Sequence, residues 1–486
     1  MELFRKKSLG MFQHNLAQSS LKKGLNAIDI TLLGLGIIIG TGIFVLTGVV
    51  AADYAGPGIM LSFILAGITC AFVALAYSEL AAALPVAGSG YTYTYSTLGE
   101  IVAWLVGWGL ILEYSVGSAT VAVGWSAYLS GLLKSTGFHL PQALTAGPME
   151  GGLINLPAML IVGIITLLLI RGTKESARVN KILVFIKVAA IFIFLFLAAP
   201  SVEPVNWVPV LPFGWHGVSA GTAVIFFSYI GFDCIATAAE ETNNPNRDMP
   251  IGIIASLLIC TLLYIAVSAV LTGVVPYSDL NNAEPVAYVL RHLGYSFGSA
   301  LVGTGALCGL STVILVFLFA QSRVFFAMSR DGLLPKSFSK VNAKTGTPVE
   351  VTLIVGTLVA IMAGLTPIHV IAEMTSAGTL FAFLCSLLGV MILRKRHPEL
   401  PRPFRCPALY PMATLGIVFC GYIFSNLSVH TFMMFGGWLF VGLLIYLFYG
   451  HKHSVLSVGS DAHRRYRAQV EASETFGAGT PAASES

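Results

Sequence analysis

Charge is what this sequence has least of. Asp, Glu, Lys and Arg make up 10% of its 486 residues, against about 25% in soluble domains. The chain is 56% hydrophobic, with a mean hydropathy of +0.82. That balance excludes a soluble enzyme, and equally one held by a single anchor. The 27 Lys and Arg form no aromatic-interleaved patch, which argues against nucleic acid. Seven cysteines occur without a CxxC pair, nearly all in apolar runs, so they are expected to be small buried hydrophobes. HExxH, GxSxG and P-loop patterns are absent, as are Cys/His clusters with metal spacing. The expectation is therefore no enzyme, no cofactor and no metal. His451 and His453 lie in a basic tail and are expected to be solvated. No filter-like repeat supports a channel. The polar stretch before Ala27 has no apolar h-region, so no cleaved signal is expected and the first apolar run should be retained.

What is present is apolar sequence in long runs. A membrane crossing needs about 20 apolar residues. Twelve candidates lie at 27–51, 58–84, 98–133, 153–170, 182–199, 217–239, 250–275, 297–329, 349–366, 370–393, 408–427 and 431–449. The third and eighth are too long to cross upright and should tilt or extend beyond the bilayer. With the N-terminus placed in the cytoplasm, all but three of the 27 Lys and Arg fall on the cytoplasmic side. Lys134 and Arg291 fall outside, and Lys187 lies within a run. This asymmetry predicts two cytoplasmic termini and an even number of crossings. The chain is thus expected to be an all-α integral membrane protein. Residues 1–26 form a cytoplasmic segment and the small, polar stretch 450–486 a disordered cytoplasmic tail.

Two runs are interrupted by glycine at matching places: Ile38-Ile39-Gly40-Thr41-Gly42-Ile43-Phe44 in the first and Tyr229-Ile230-Gly231-Phe232-Asp233 in the sixth. The overlong third and eighth runs match in the same register. A repeat of five helices is odd, so a second copy must be inserted the other way up, giving inverted halves at 27–199 and 217–393 with two further helices at 408–449. A broken helix leaves backbone N–H and C=O groups without partners, tolerable only against protein, water or a polar ligand. N–H groups near Thr41-Gly42 suit a carboxylate, with Gly40 and Gly42 allowing close approach and Thr41 adding a hydroxyl. Carbonyls near Ile38 and at the second break suit an ammonium. Donors at one end and acceptors at the other fit a zwitterion, an amino acid.

Three ionisable residues lie well within runs, where each needs a partner or a function: Glu113, Lys187 and Asp233. Lys187 could snorkel to the inner headgroups or act inside. Glu113 fits a counter-charge or a structural hydrogen bond. Asp233 fits either a cap on the inner half-helix or a proton relay. Tyr264 could donate toward this region or simply pack. Glu79, and Glu240 and Glu241 with Arg247, are expected as gate or surface ion pairs, solvated surface being favoured. The residues around Phe317 and the aromatics Phe226, Phe227 and Phe232 make bulky apolar walls, with no acid aimed at a substrate side chain unless Glu113 or Asp233 is. Phe317 is the expected pocket wall.

Five motifs in order carry a family resemblance. They are residues 40–44; Pro-Val-Ala-Gly-Ser-Gly-Tyr-Thr-Tyr at 85–93; Phe-Ser-Tyr-Ile-Gly-Phe-Asp at 227–233; Glu-Glu-Thr-Asn-Asn-Pro-Asn-Arg-Asp-Met-Pro at 240–250; and Ser-Arg-Asp-Gly-Leu-Leu-Pro at 329–335. Across about residues 25 to 450 the chain resembles the amino acid–polyamine–organocation superfamily, in its cationic amino acid transporter-like branch. The resemblance implies a LeuT-like fold: 12 transmembrane helices, a 5+5 inverted repeat with helices 1 and 6 broken, and two extra C-terminal helices. It implies transport by alternating access, with substrate at Ile38, Thr41 and Gly42 and at Phe227, Ser228 and Ile230. It also implies that Lys187 takes the place of a coupling cation beside the first break. The expected function is proton-coupled uptake of small to medium neutral L-amino acids across the cell membrane, with Lys187, Glu113, Asp233 and Tyr264 in proton coupling. The alternative is a cationic amino acid or polyamine transporter or exchanger. Besides substrate, protons and the bilayer, the resemblance allows a small accessory membrane subunit or a homo-oligomer as partner.

Overall fold

A computed structural model describes residues 4–7, 11, 21–135, 137–282, 284–365, 368–425 and 427–464. Among these the chain is helical, with no strand beyond the isolated bridges Leu25–Thr242 and Thr145–Asn155. The principal helices are α1 (Ala27–Ile38), α2 (Ile59–Ala83), α3 (Gly90–Thr97), α4 (Glu100–Ser135), α5 (Leu156–Arg171), α6 (Thr173–Ala198) and α7 (Gly214–Ile225). There follow α8 (Pro245–Val274), α9 (Pro285–His292), α10 (Ser296–Arg330), α11 (Val349–Leu365), α12 (Ile368–Arg396), α13 (Leu409–Ser425) and α14 (Val429–Ile445). By length and composition eight described segments can cross a membrane, and α5, α11 and α13 are shorter apolar helices. This is a multi-pass membrane protein.

Its surface is inside-out relative to a soluble fold. On α11, Ile354, Leu358, Ile361 and Leu365 recur at helical spacing and are all exposed; Leu160, Ile164 and Leu167 do the same on α5. Such stripes face lipid, where burial against protein is not required. The interior instead holds polar and charged groups, among them Glu79, Glu100, Glu113, Lys187, Asp233, Glu240, Glu241 and Arg323.

Local sequence sets the helix ends. Asn26 opens α1 with a capping box: its side chain accepts from the N–H groups of Ile28 and Asp29 at 2.9 and 3.1 Å, and Asp29 accepts from Asn26 N–H at 3.0 Å. Asn155 and Ser428 cap α5 and α14 more simply, each side chain accepting from one backbone N–H, of Ala158 and Thr431. The segment Ala27–Ala83 is strongly apolar, yet Gly56 divides it at φ +57, a left-handed backbone that favours glycine. An added Cβ there would meet Pro212 at 2.3 Å.

The overlong runs are overlong helices. α4 has 36 residues and α10 has 35, about 53 Å each at 1.5 Å per residue, against a hydrocarbon core of about 30 Å. Other boundaries moved. The stretch 98–133 does not begin as one helix, because Gly99 at φ +107 separates α3 from α4. α6 starts at Thr173, before the expected 182, because the chain turns at Gly172 (φ +139) and the polar stretch after it is already helical. Part of the expected disordered tail is packed: Ser454, Val455 and Ala462 are buried, and Ser454 donates to Glu100 at 2.5 Å. The rest of that tail, 465–486, lies outside the described residues.

Candidate functional site at two broken helices

The first break falls where predicted. α1 ends at Ile38, Ile39 turns to φ −77, ψ 96, and the chain resumes helical geometry at Thr41 in a wide π-type turn over Gly42–Leu46. No side chain caps that new start. The second break follows α7: a tight turn Phe226–Tyr229, extended Ile230, then Gly231 at φ +110 and a second tight segment Phe232–Glu241. Glycine is needed where the breaks touch. A Cβ on Gly42 would meet the Ser228 Cβ at 2.3 Å, and one on Gly231 would meet Ile37 at 2.5 Å.

Between the breaks lies a small cavity. Ile38, Gly40, Thr41, Gly42, Phe227, Ser228, Ile230 and Phe317 all line it, as the sequence led one to expect. Ile37, Val121 and Val313 line it too and were missed. Val313 sits one helical turn before Phe317, so the i, i+4 rule could have found it. Val121 carries no signal separating it from a lipid-facing valine. The space is about 10 Å3, at the threshold for one water, so this conformer is closed around its own side chains. The Ser228 hydroxyl is buried and has no hydrogen-bond partner. The Phe317 ring lies 5.8 Å from Tyr114, and over Gly117, whose missing Cβ leaves it room.

Lys187 does not snorkel. It is fully buried, and its ammonium donates to the carbonyls of Gly36 and Ile39 at 2.9 and 2.8 Å and to Thr312 Oγ1 at 2.8 Å. Gly36 would have accepted from Gly40 had α1 continued, so a cation occupies acceptors that the break frees. Thr312 in turn donates to Gly36 O at 2.7 Å. Tyr264 joins the two breaks: its hydroxyl lies against both Ile38 O and Ser228 O. Each of those carbonyls keeps a second lone pair.

Asp233 lies in the first turn after Gly231, and no side chain caps that turn. Its Oδ2 accepts from Tyr114 at 2.8 Å, while Oδ1 is buried without a hydrogen bond. Glu113, next to Tyr114, has both carboxylate oxygens buried without one. Neither acid lines the cavity. Tyr114 therefore touches Asp233 with its hydroxyl and Phe317 with its ring.

The expected surface acids are not surface acids. Glu241 pairs with Arg323 at 2.7 Å and Glu240 with Arg330 at 2.8 Å, both carboxylates fully buried; Arg247 is exposed and belongs to neither pair. Glu79 is buried against Arg394 and Arg402, and accepts from Cys406 N–H at 2.8 Å. The long helices carry their basic residues inward, to acids distant in sequence, so spacing could not reveal the partners. All seven cysteines are free, and all but Cys308 are buried.

Two interrupted helices meeting at a closed cavity inside a multi-pass helical body define a membrane permease. The chain belongs to the amino acid permease family, whose model matches residues 25–448, within the amino acid–polyamine–organocation superfamily. It is 48% identical to the branched-chain amino acid permease BcaP of Bacillus subtilis over 94% of this chain and 99% of that one. It is 45% identical to the methylthioribose transporter of Bacillus subtilis, again over 94% and 99%. It is also 39% identical to the vacuolar cationic amino acid transporter 4 of Arabidopsis thaliana, over 78% of this chain and 64% of that protein. The chain is a transporter rather than an enzyme.

Proposed function

We propose that this protein takes up small to medium neutral L-amino acids together with protons, by alternating access across the cell membrane. The observation that carries the reading is the apolar cavity between the breaks, with a buried ammonium on the carbonyls freed by the first of them. The substrate carboxylate docks at the N–H groups after Gly40, with Thr41 as a further donor, and its ammonium at the open lone pairs of Ile38 and Ser228. Ile37, Val121, Val313 and Phe317 then form an apolar side-chain pocket that offers no carboxylate. Because the space holds about one water, Phe317 must rotate to admit a side chain. Relatives of nearly equal identity bear different substrate names, so the choice of neutral amino acids rests on these walls.

The chain crosses twelve times in this reading: Ala27–Ala83 passes twice by virtue of Gly56, and the three shorter apolar helices cross as well. The matching breaks and the matching long helices α4 and α10 support inverted halves at 27–199 and 217–393. The segment 408–449 lies outside the repeat, and both termini are cytoplasmic. Lys187, Glu113, Asp233 and Tyr264 serve proton coupling.

The test is uptake of labelled alanine into proteoliposomes under an inward proton gradient without sodium, competed by each other amino acid. Accumulation blocked by neutral amino acids is expected. Lys187→Ala should lose gradient-driven accumulation, and Phe317→Ser should change the competition profile. A second reading, a cationic amino acid or polyamine exchanger, draws on the two unbonded oxygens of Glu113. Uptake that needs internal loading, or that occurs only with labelled arginine or lysine, would replace the first reading with the second.

A further inference from the structure

We propose that the end of the protein carrying the N-terminus binds a phosphate-bearing anion, supplied by an acidic phospholipid headgroup. A cavity of about 200 Å3 lies there between the N-terminal segment, α3 and the end of α12. Lys6, Lys7, Arg396 and His397 line it with Ser96 and Thr97, and no carboxylate does.

Two of these four basic side chains already have acidic partners. Lys7 is buried against Asp331, and His397 faces Glu399 at 3.0 Å. The Ser96 and Thr97 hydroxyls both donate to Tyr93 O, at 2.8 and 2.9 Å. Lys6 and Arg396 are different. Among the described residues Lys6 donates only to a neutral acceptor, the Thr97 carbonyl. Arg396 makes no ion pair or hydrogen bond among the described residues. The two like charges line the same cavity, close enough for one to act on the other. Partial burial, and then the Arg396 guanidinium, push the Lys6 ammonium below its ordinary pKa. An anion placed between them turns that repulsion into two charge-assisted hydrogen bonds.

The surroundings favour a lipid as the source. The cavity sits at the end of the apolar segment Met374–Arg396, at the depth where headgroups lie. Ile392 lines it, and Leu388, one turn back on the same face of α12, is 43% exposed. An acyl chain can follow that face while its phosphate stays between Lys6 and Arg396. A bound headgroup also holds Lys6 in place, and with it the neighbouring Lys7–Asp331 pair, so this end of the protein is tied more firmly shut.

The experiment is thermal unfolding of the purified full chain in neutral detergent, with added phosphatidylglycerol or phosphatidylcholine. Phosphatidylglycerol should raise the apparent melting temperature by several degrees, and phosphatidylcholine should not. The Lys6→Gln/Arg396→Gln variant should lose more than half of that rise. Its side chains are largely exposed, and retained uptake activity confirms that it folds. A variant with equal charge loss elsewhere on this end, Arg405→Gln/Lys452→Gln, should keep the rise. A full rise in the first variant, or an equal loss in the second, overturns the site. The same rise produced by inorganic phosphate alone overturns the lipid source.

Discussion

The two ends of the molecule are closed by different means. At the end bearing the N-terminus, basic and acidic side chains meet out of water. Arg323–Glu241 is 1% and 0% exposed, Arg330–Glu240 20% and 0%, and Glu100 gathers Arg5, Tyr95, Tyr446 and Ser454 around one buried carboxylate. At the opposite end Arg291 meets Glu284 at 3.2 Å, with the arginine half exposed, beside a cavity of about 370 Å3 that both line. Tyr128, also in that lining, donates to Phe44 O just past the first break. A buried pair is not automatically stabilising, because its desolvation offsets its attraction, but removing one partner strands the other. An exposed pair does little either way. The first end is thus a barrier that opens only if several charges separate together, whereas the second is already loosely held. In this conformer the central cavity is guarded far more heavily on one side.

The largest effect should follow from removing one member of a buried pair. Arg323→Ala takes the guanidinium away from the buried Glu241 carboxylate and should lower unfolding stability by about 3–5 kcal/mol, measured in detergent by heat or denaturant. The double variant Arg323→Ala/Glu241→Ala should recover most of that loss. If the single change is harmless, the contrast between the ends collapses. A medium effect is expected in access. In a background without native cysteines, Ala300→Cys in the large cavity should react with a water-borne thiol reagent at least tenfold faster than Ala327→Cys, which is buried near the Arg323 pair. Equal rates would mean that the first end is open as well. The smallest effect belongs to Glu284→Gln, expected to cost less than about 1 kcal/mol. Salt should erase that difference while leaving the Arg323 effect in place.

The contrast also marks what could be deduced from sequence. Both breaks and the overlong helices were legible, because glycine inside an apolar run and the length of a run are local signals, whereas Phe227, Ser228 and Ile230 came from the family resemblance. The inward ammonium of Lys187 was not decided by its neighbours: a lysine near the end of a run suits either headgroups or a buried site, and only its contacts with Gly36, Ile39 and Thr312 choose. The barrier was misjudged for a related reason. Glu79 and Arg394, or Glu241 and Arg323, stand far apart in the chain, and each alone looks like an ordinary charge at a helix end. Their mutual burial is set by tertiary packing. Glu100 drew no notice for the same reason, since apart from Tyr95 its partners come from both ends of the chain.

One consequence of the Lys187 contacts concerns dilution. A free ion occupying the first break would come and go with its concentration, and the broken backbone would lose its organiser whenever the surroundings ran short. An ammonium carried by the chain itself has an effective concentration set by folding, which neither dilution nor salt can reduce. The break in α1 therefore keeps its shape in dilute and in salty water alike.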